Sequence, residues 1–393
     1  MSQNNLQGLS DLAKNYPASG IRKMFDLAAK YENVISLTVG EPNFDTPQNI
    51  KDVAKKAIDD GFTKYNPNSG TDDLRECIAK KYQKYWTGYA KDNVIVTVGA
   101  LEALTLGLLA TINHGDEVLI PNPGFPNYEG QVMIVGGKPV HVPVYESNDY
   151  RIKAADIEAS ITPKTKALIL NSPSNPLGSV LTKQDIIEIA QVVKKHGLFV
   201  FSDEPYDAII YDNVEYFSIA QIDDIRSNVF VINSLSKSHA MTGWRLGYML
   251  ANSEFLPTLA KLQEGIVSCV PTFIQVAAIE AIDGPQDASN SMVSDYARRR
   301  DLLTDGLNSI PGFVCKKSAG SFYTFANIKA FGKTSAEFAE ELIINTQVVA
   351  VPGSAFGSMG EGYMRFVFAN SDENLLEAVR RIKEYVVKAY PHL

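Results

Sequence analysis

The sequence predicts an α/β fold in which a mostly parallel sheet lies between layers of helix. Three observations carry it. Short β-branched runs alternate along the chain with stretches of helical periodicity. The runs are almost continuously apolar, as strands buried on both faces are. No Gly/Ser-rich linker, tandem repeat or low-complexity block interrupts the alternation.

In chain order the strand candidates are Val94–Val98, Glu117–Ile120, Ala167–Leu170, Leu198–Ser202, Val229–Ile232 and Gly247–Leu250. The helices have readable ends. Thr46 and Pro47 read as an N-cap followed by proline at the first helical position. Ile50, Val53, Ala54, Ala57 and Ile58 then trace one face, and Gly61 stops the helix. Thr182 caps a second helix, whose face is Ile186, Ile189, Ala190 and Val193, with Gly197 as the stop. Near the C-terminus Leu375, Val379, Ile382 and Val386 repeat at helical spacing. In such a sheet ligands gather at the carboxyl ends of the strands, so the residues just beyond them are the candidates for function.

The bulk properties narrow the field. A chain of 393 residues that is 45% hydrophobic can build a core without disulfides or metals. A net charge of −8 argues against nucleic acid or an anionic membrane as the main partner. Cys77, Cys269 and Cys315 are odd in number and widely spaced, which suggests neither a disulfide framework nor a zinc site. The first residues carry no apolar signal core, and no apolar run approaches a membrane span, so a reducing cytoplasm is expected. There is no G-x-G-x-x-G, no Walker A string and no H-E-x-x-H.

The strand ends hold the chemistry. SLSKSHAMTGWRLGY, Ser234–Tyr248, follows the Val229–Ile232 run and contains Ser234, Ser236, Lys237 and Arg245. A lysine at a buried strand end is costly as an ammonium, but sensible as a neutral amine that forms an imine with a carbonyl cofactor. Two hydroxyls and an arginine nearby suit a phosphate. The alternative for Lys237 is a solvated side chain in a Ser-rich loop. In FVFSDEPY, Phe199–Tyr206, an apolar strand runs into Asp203, which needs a cationic partner. A pyridinium nitrogen would serve, and the pair would strengthen the ring as an electron sink. Tyr206, three residues on, could bond the ring's phenolic oxygen; the alternative for Asp203 is a cap on the next turn.

NSPSNPLG, Asn171–Gly178, is a turn cluster in which Asn175 could donate to the same phenolic oxygen and Asn175–Pro176 is a candidate cis peptide. VTVGALEAL, Val96–Leu104, reads as strand, Gly99, helix, so the amides of Ala100 and Leu101 at a helix N-terminus suit an anion. PNPGFPNY, Pro121–Tyr128, offers Phe125 as a flat face for a ring, or simply as packing. GEGYMRFVFA, Gly360–Ala369, buries Arg365 in an apolar run; its fork suits a substrate carboxylate or an internal salt bridge.

Taken together these strings resemble the class I/II aminotransferases of the pyridoxal-phosphate superfamily, from LTVGEPNFDTP (Leu37–Pro47) to the motif around Arg365. The resemblance implies a large domain with a mostly parallel seven-stranded sheet over residues 46–280, and a smaller α+β domain from 1–45 and 281–393. It implies pyridoxal 5′-phosphate as cofactor, with Lys237 forming the internal aldimine and moving the proton between Cα and C4′. Asp203 pairs with the ring nitrogen; Asn175 and Tyr206 contact the phenolic oxygen; Phe125 stacks on the ring. Gly99, Ala100, Leu101, Ser234, Ser236 and Arg245 form the phosphate cup. Tyr65, in KYNPNSGTDDLR, matches a tyrosine that reaches the phosphate of the neighbouring subunit, so a homodimer with shared sites follows. Gly40, Asn175 and Arg365 resemble the clamp on the substrate's α-carboxylate. The partners are then an amino acid and a 2-oxo acid, with 2-oxoglutarate the expected acceptor and ping-pong kinetics.

SGIRKMFDLA, FIQ after Thr272, VPGSAFG and GEGYMRF are similar to the aromatic-amino-acid and N-acetyl-diaminopimelate subgroup. The chain departs from aromatic relatives at Gly265, where a bulky residue is expected, and at Pro205, where Val or Ile is commoner. A C–S β-lyase on the same fold is the alternative. A cofactor-sensing regulator would need a DNA-binding domain, for which the short N-terminal segment leaves no room. Closure of the smaller domain over the pocket is expected.

Overall fold

The computed structural model of the chain describes residues 8–17 and 20–393. All six strands expected from the sequence form. With one more they make a seven-stranded sheet: β1 (Val94–Thr97), β2 (Glu117–Asn122), β3 (Lys138–Pro143), β4 (Thr165–Asn171), β5 (Phe199–Asp203), β6 (Val229–Ser234) and β7 (Gly247–Leu250). The order across the sheet is β1-β7-β6-β5-β4-β2-β3. Strand β7 runs antiparallel to both neighbours, and every other pair is parallel.

The near-continuous apolarity has the expected cause. Leu168, Leu170, Val200 and Val231 enter one core, while Ile169, Phe201, Phe230 and Ile232 enter another on the opposite face. Side chains alternate across a strand, so both faces must be apolar when both are covered. Each such side chain stabilises the sheet by roughly 1.5–3 kcal/mol. The seventh strand, β3, escaped the sequence reading. It is the sheet's edge, buries only Val142 fully, and carries Pro139 and Pro143, which edge strands tolerate.

Of the two helix starts expected from the sequence, one forms as expected and one is displaced by a residue. Thr182 accepts from the Asp185 amide in a reciprocal capping box, and Gly197 closes that helix at φ 62°. The first helix runs Gln48–Asp59 with Pro47, not Thr46, at the cap position. Thr46 is one residue too early; its hydroxyl instead donates to the Ala240 carbonyl at 2.6 Å. Its buried face is also narrower than expected, because Ile58 is 47% exposed.

A third core gathers Ile35 and Leu37 with residues from Met292 to Tyr390. It packs around an antiparallel sheet of β8 (Val314–Cys315), β9 (Tyr323–Asn327), β10 (Val351–Pro352) and β11 (Tyr363–Val367), in the order β10-β11-β9-β8. Ile35–Ser36 pairs in parallel with Val348–Val349. Tyr206 and Tyr211, from the loop after β5, insert into this core and tie it to the large sheet. Among the described residues no helix is long and apolar enough to cross a membrane. In the SGIRKMFDLA string, Ser19 lies outside the described residues and Gly20–Ala28 is helical.

Candidate active site

The carboxyl ends of β4, β5 and β6 meet β9 and β11 around a cavity of about 290 Å³. Its walls bring together Gly40, Ala100, Leu101, Phe125, Asn175, Asp203, Tyr206, Ser234, Ser236, Lys237, Arg245 and Arg365, which the sequence scatters over more than three hundred positions. Gly99 and Tyr65 do not line it.

Asp203 is the last residue of β5, not a turn cap. Its Oδ2 accepts from the Tyr128 hydroxyl at 2.6 Å, whereas its Oδ1 is buried with no hydrogen-bond partner. Burial pushes the carboxyl up to about 6, against the opposing effects of Tyr128 and Lys237. The adjacent Glu204 faces the other way, accepting from Ser202 and Ser218 at 2.7 Å each, and burial pushes it up to about 7. Period-two alternation thus sends one carboxylate into the cavity and the other into the interior.

Lys237 follows β6, and its Nζ donates to the Gly40 carbonyl at 2.6 Å. Burial, opposed by Glu41 and reinforced by Arg245 and Arg365, brings its amine down to about 8. A side chain at position 40 would run into the Tyr323 hydroxyl, which would have to move to admit it.

Arg365 on β11 is 1% exposed. It donates to Asn175 Oδ1 at 2.9 Å and to the Thr38 carbonyl at 2.6 Å, and its Nε has no partner. Its guanidinium lies 4.6 Å from the Tyr323 ring centre and 4.7 Å from that of Phe356. Among the described residues no carboxylate pairs with it, so the internal salt bridge allowed by the sequence does not form. The Asn175–Pro176 bond is cis. Tyr206 exchanges a hydrogen bond with the Tyr323 hydroxyl at 2.7 Å.

At the other end of the cavity, Gly99 opens the helix Gly99–Thr111 at φ 78°, with Ala100 and Leu101 as its first amides on the wall. A Cβ at position 99 would run into the Arg245 guanidinium. Arg245 donates to the Thr242 carbonyl at 2.9 Å and stands beside the helix start. Ser234 and Ser236 complete this end. A helix N-terminus, two hydroxyls and a guanidinium make an anion cup.

Tyr65 is 89% exposed and is not part of its own cavity's wall. Its loop is pinned nonetheless. Gln275 accepts from the Thr71 amide at 2.8 Å and donates to Asn66 at 3.0 Å, which gives the FIQ string a structural job. Gly265 lies on an exposed helix surface and does not line the cavity, whereas Pro205 does. Two site residues were missed in the sequence. Tyr128 lies three positions after Phe125, at the spacing that puts both on one side of a helical turn, and could have been found. Tyr323 reaches Arg365 diagonally across the β9–β11 ladder, where Phe325 is the residue directly opposite; only the strand register reveals it.

Comparison with known proteins agrees with this geometry. The family model "Aminotransferase class I and II" matches residues 32–382. An aspartate aminotransferase of Pyrococcus abyssi is 46% identical over 96% of this chain and 97% of its own. A probable N-acetyl-LL-diaminopimelate aminotransferase of Bacillus subtilis is 40% identical over 97% and 96%. The crystal structure of an aromatic aminotransferase from Pyrococcus horikoshii superposes with a TM-score of 0.89 at 43% identity, covering 95% of this chain and all of that one. The chain belongs to the class I and II aminotransferases, enzymes that move amino groups with pyridoxal 5′-phosphate.

The residues present fit that cofactor. The partnerless Asp203 oxygen suits a protonated ring nitrogen, the Gly99–Arg245 end suits the phosphate, and Lys237 supplies an amine.

Proposed function

We propose that this enzyme transfers the amino group of L-amino acids with aromatic or other large apolar side chains to a 2-oxo acid, 2-oxoglutarate in the first instance. The observation that carries the reading is one cavity holding a depressed amine, a half-satisfied buried carboxylate and a buried arginine without an anion. When bound, the cofactor supplies a carbonyl that takes up the amino group and a protonated ring that draws electrons from the Cα–H bond.

The chain's own residues do the rest. Arg365, aimed by Asn175 and by the Thr38 carbonyl, takes the substrate's α-carboxylate in its fork. Lys237, whose amine is neutral above about pH 8, is the base that removes and returns the Cα proton. Asp203 holds the ring nitrogen charged, and Tyr206 and Asn175 bond the ring's phenolic oxygen. Phe125 covers the ring face. The amides of Ala100 and Leu101, with Gly99, Ser234, Ser236 and Arg245, hold the phosphate. Donor and acceptor use the one cavity in turn, so the kinetics are ping-pong.

The substrate side chain meets Val39, Leu101, Leu104, Phe125 and Pro205, all apolar. The three cations lining the cavity, Lys237, Arg245 and Arg365, already have tasks. The distal carboxylate of 2-oxoglutarate therefore draws its partner from a second subunit, which also presents Tyr65 to the phosphate. Glutamate, the aminated product of that acceptor, is then the acidic donor that the site must also accept. The two-domain division at 46–280 against 1–45 with 281–393 is supported by the separate third core, and closure of the smaller domain carries Arg365 onto the substrate. The cysteines are unpaired, in keeping with a reducing cytoplasm.

The test is a spectral half-reaction screen of the loaded enzyme against the common amino acids. Conversion of the bound cofactor to its aminated form, with release of the 2-oxo acid, is expected with aromatic and large aliphatic donors and glutamate. Release of pyruvate and ammonia from cystathionine without that conversion would instead show a β-lyase.

A further inference from the structure

Tyr128 has no part in the reading above, yet it touches two of the elements that reading depends on. It belongs to the helix Asn127–Ile134 and is 1% exposed. Its hydroxyl donates to Asp203 Oδ2 at 2.6 Å, and its ring meets Phe125 edge to face with centres 5.5 Å apart. We propose that Tyr128 is a positioning residue for the cofactor's ring: its hydroxyl keeps the Asp203 carboxylate ionised and turned, leaving one oxygen for the ring nitrogen, while its ring edge braces Phe125. The proposal rests on the cofactor reading of the cavity.

A buried carboxylate with one partnerless oxygen favours its neutral form. A neutral acid cannot form the ion pair that keeps the ring nitrogen charged. The groups that face Asp203 are few. Lys237, from the loop after β6, opposes the neutral form through its charge. Tyr206, three residues on in the loop after β5, is a neutral phenol hydrogen-bonded to the Tyr323 hydroxyl. Asn171 donates to the Asp203 backbone carbonyl at 3.0 Å, not to its carboxylate. Among the described residues the Tyr128 hydroxyl is the one donor to the side chain. A hydrogen bond donated to a carboxylate favours its charged form, and burial of both partners strengthens it. Burial also pushes the Tyr128 phenol far up, so it stays a donor throughout the working range.

The donor also fixes direction. With Oδ2 held by a side chain on a helix, rotation of the carboxylate about its last bond is stopped, and Oδ1 is the oxygen left over. Because the same tyrosine packs on Phe125, the anion below the ring nitrogen and the aromatic on the ring face are set by one residue.

Tyr128→Phe removes a single oxygen and keeps the ring, so the fold and the Phe125 contact survive. The test measures the affinity of the cofactor-free full chain for pyridoxal 5′-phosphate across pH, in wild type and Tyr128→Phe. The cofactor's own ionisations and that of Lys237 are common to both proteins, so the difference reads the carboxylate. The acid limb of the variant's profile should move to higher pH, with a loss of roughly tenfold in affinity near pH 6 for each unit of displacement. Tyr211→Phe, which removes a buried hydroxyl in the third core that is bonded to the Ser321 carbonyl and not to Asp203, should leave the limb in place. Superimposable profiles for wild type and Tyr128→Phe would overturn the proposal, as would an equal shift in Tyr211→Phe. Failure of wild type to take up the cofactor at any pH would instead overturn the cofactor reading itself.

Discussion

Arg365 donates to Asn175 Oδ1 at 2.9 Å, and this bond joins β11 of the small antiparallel sheet to the turn that follows β4 of the large one. The pair spans the seam between the two cores, so the arginine's fork is aimed before any substrate arrives. Aiming matters because the guanidinium is fully buried and has no anion of its own among the described residues. Lysine at position 365 keeps a charge but loses the planar fork and the stacking on Tyr323 and Phe356. Arg365→Lys is expected to lower kcat/KM by on the order of 10²–10³-fold while leaving cofactor uptake unchanged, read by steady-state kinetics and absorbance titration.

The amine of Lys237 sets a pH dependence. Its ionisation lies at about 8, below the ordinary lysine value, chiefly because of burial. Only the neutral amine attacks a carbonyl. The rate of cofactor capture by the cofactor-free chain is therefore expected to rise with pH through about 8 and then level off. A rate still climbing steeply beyond pH 10 would show an ordinary, solvated lysine.

Much of this was legible in the sequence, for physical reasons that also mark where legibility stops. Strands buried on both faces announce themselves, as Ala167–Leu170 and Val229–Ile232 did, because every position must be apolar. The edge strand Lys138–Pro143 did not, since a half-solvated strand with prolines resembles a loop. Local capping chemistry identified Thr182 but misread Thr46, whose hydroxyl is claimed by a carbonyl 194 positions away. The residues that line the cavity could be picked out because they follow the strand ends of the large sheet. Tyr323 was not, because its contact with Tyr206 and Arg365 exists only once two sheets meet.

Burial of Asp203 has a cost in stability. Its folded ionisation is raised to about 6 from an ordinary value of 3.8. Between those values the folded chain holds a proton that the unfolded chain has lost, so stability falls as pH rises through that window. Above it a buried anion remains. Asp203→Asn keeps an oxygen for Tyr128 and removes the charge. The variant should stabilise the cofactor-free chain at neutral pH by about 1–3 kcal/mol, an advantage that fades below about pH 4. The same substitution should cost most of the activity. Denaturant melts at two pH values, beside a rate assay, check both halves.

Tyr65 offers a test of shared sites. It is exposed and pinned through Gln275, Asn66 and Thr71 rather than through its own ring. If it serves the neighbouring subunit, a mixed dimer of Tyr65→Ala and Lys237→Ala chains contains one intact site. Mixing the two weak variants with subunit exchange should restore about a quarter of wild-type activity. Activity no greater than the sum of the separate variants would place Tyr65 outside the catalytic unit.

The central claim is that the amine at position 237 is the group that takes the cofactor. Incubate the chain with pyridoxal 5′-phosphate, reduce with borohydride, digest, and locate the added mass. The account predicts one modified peptide, bearing the phosphopyridoxyl group on Lys237, and none in Lys237→Ala. An unmodified Lys237, or equal labelling of the alanine variant at other lysines, would contradict it.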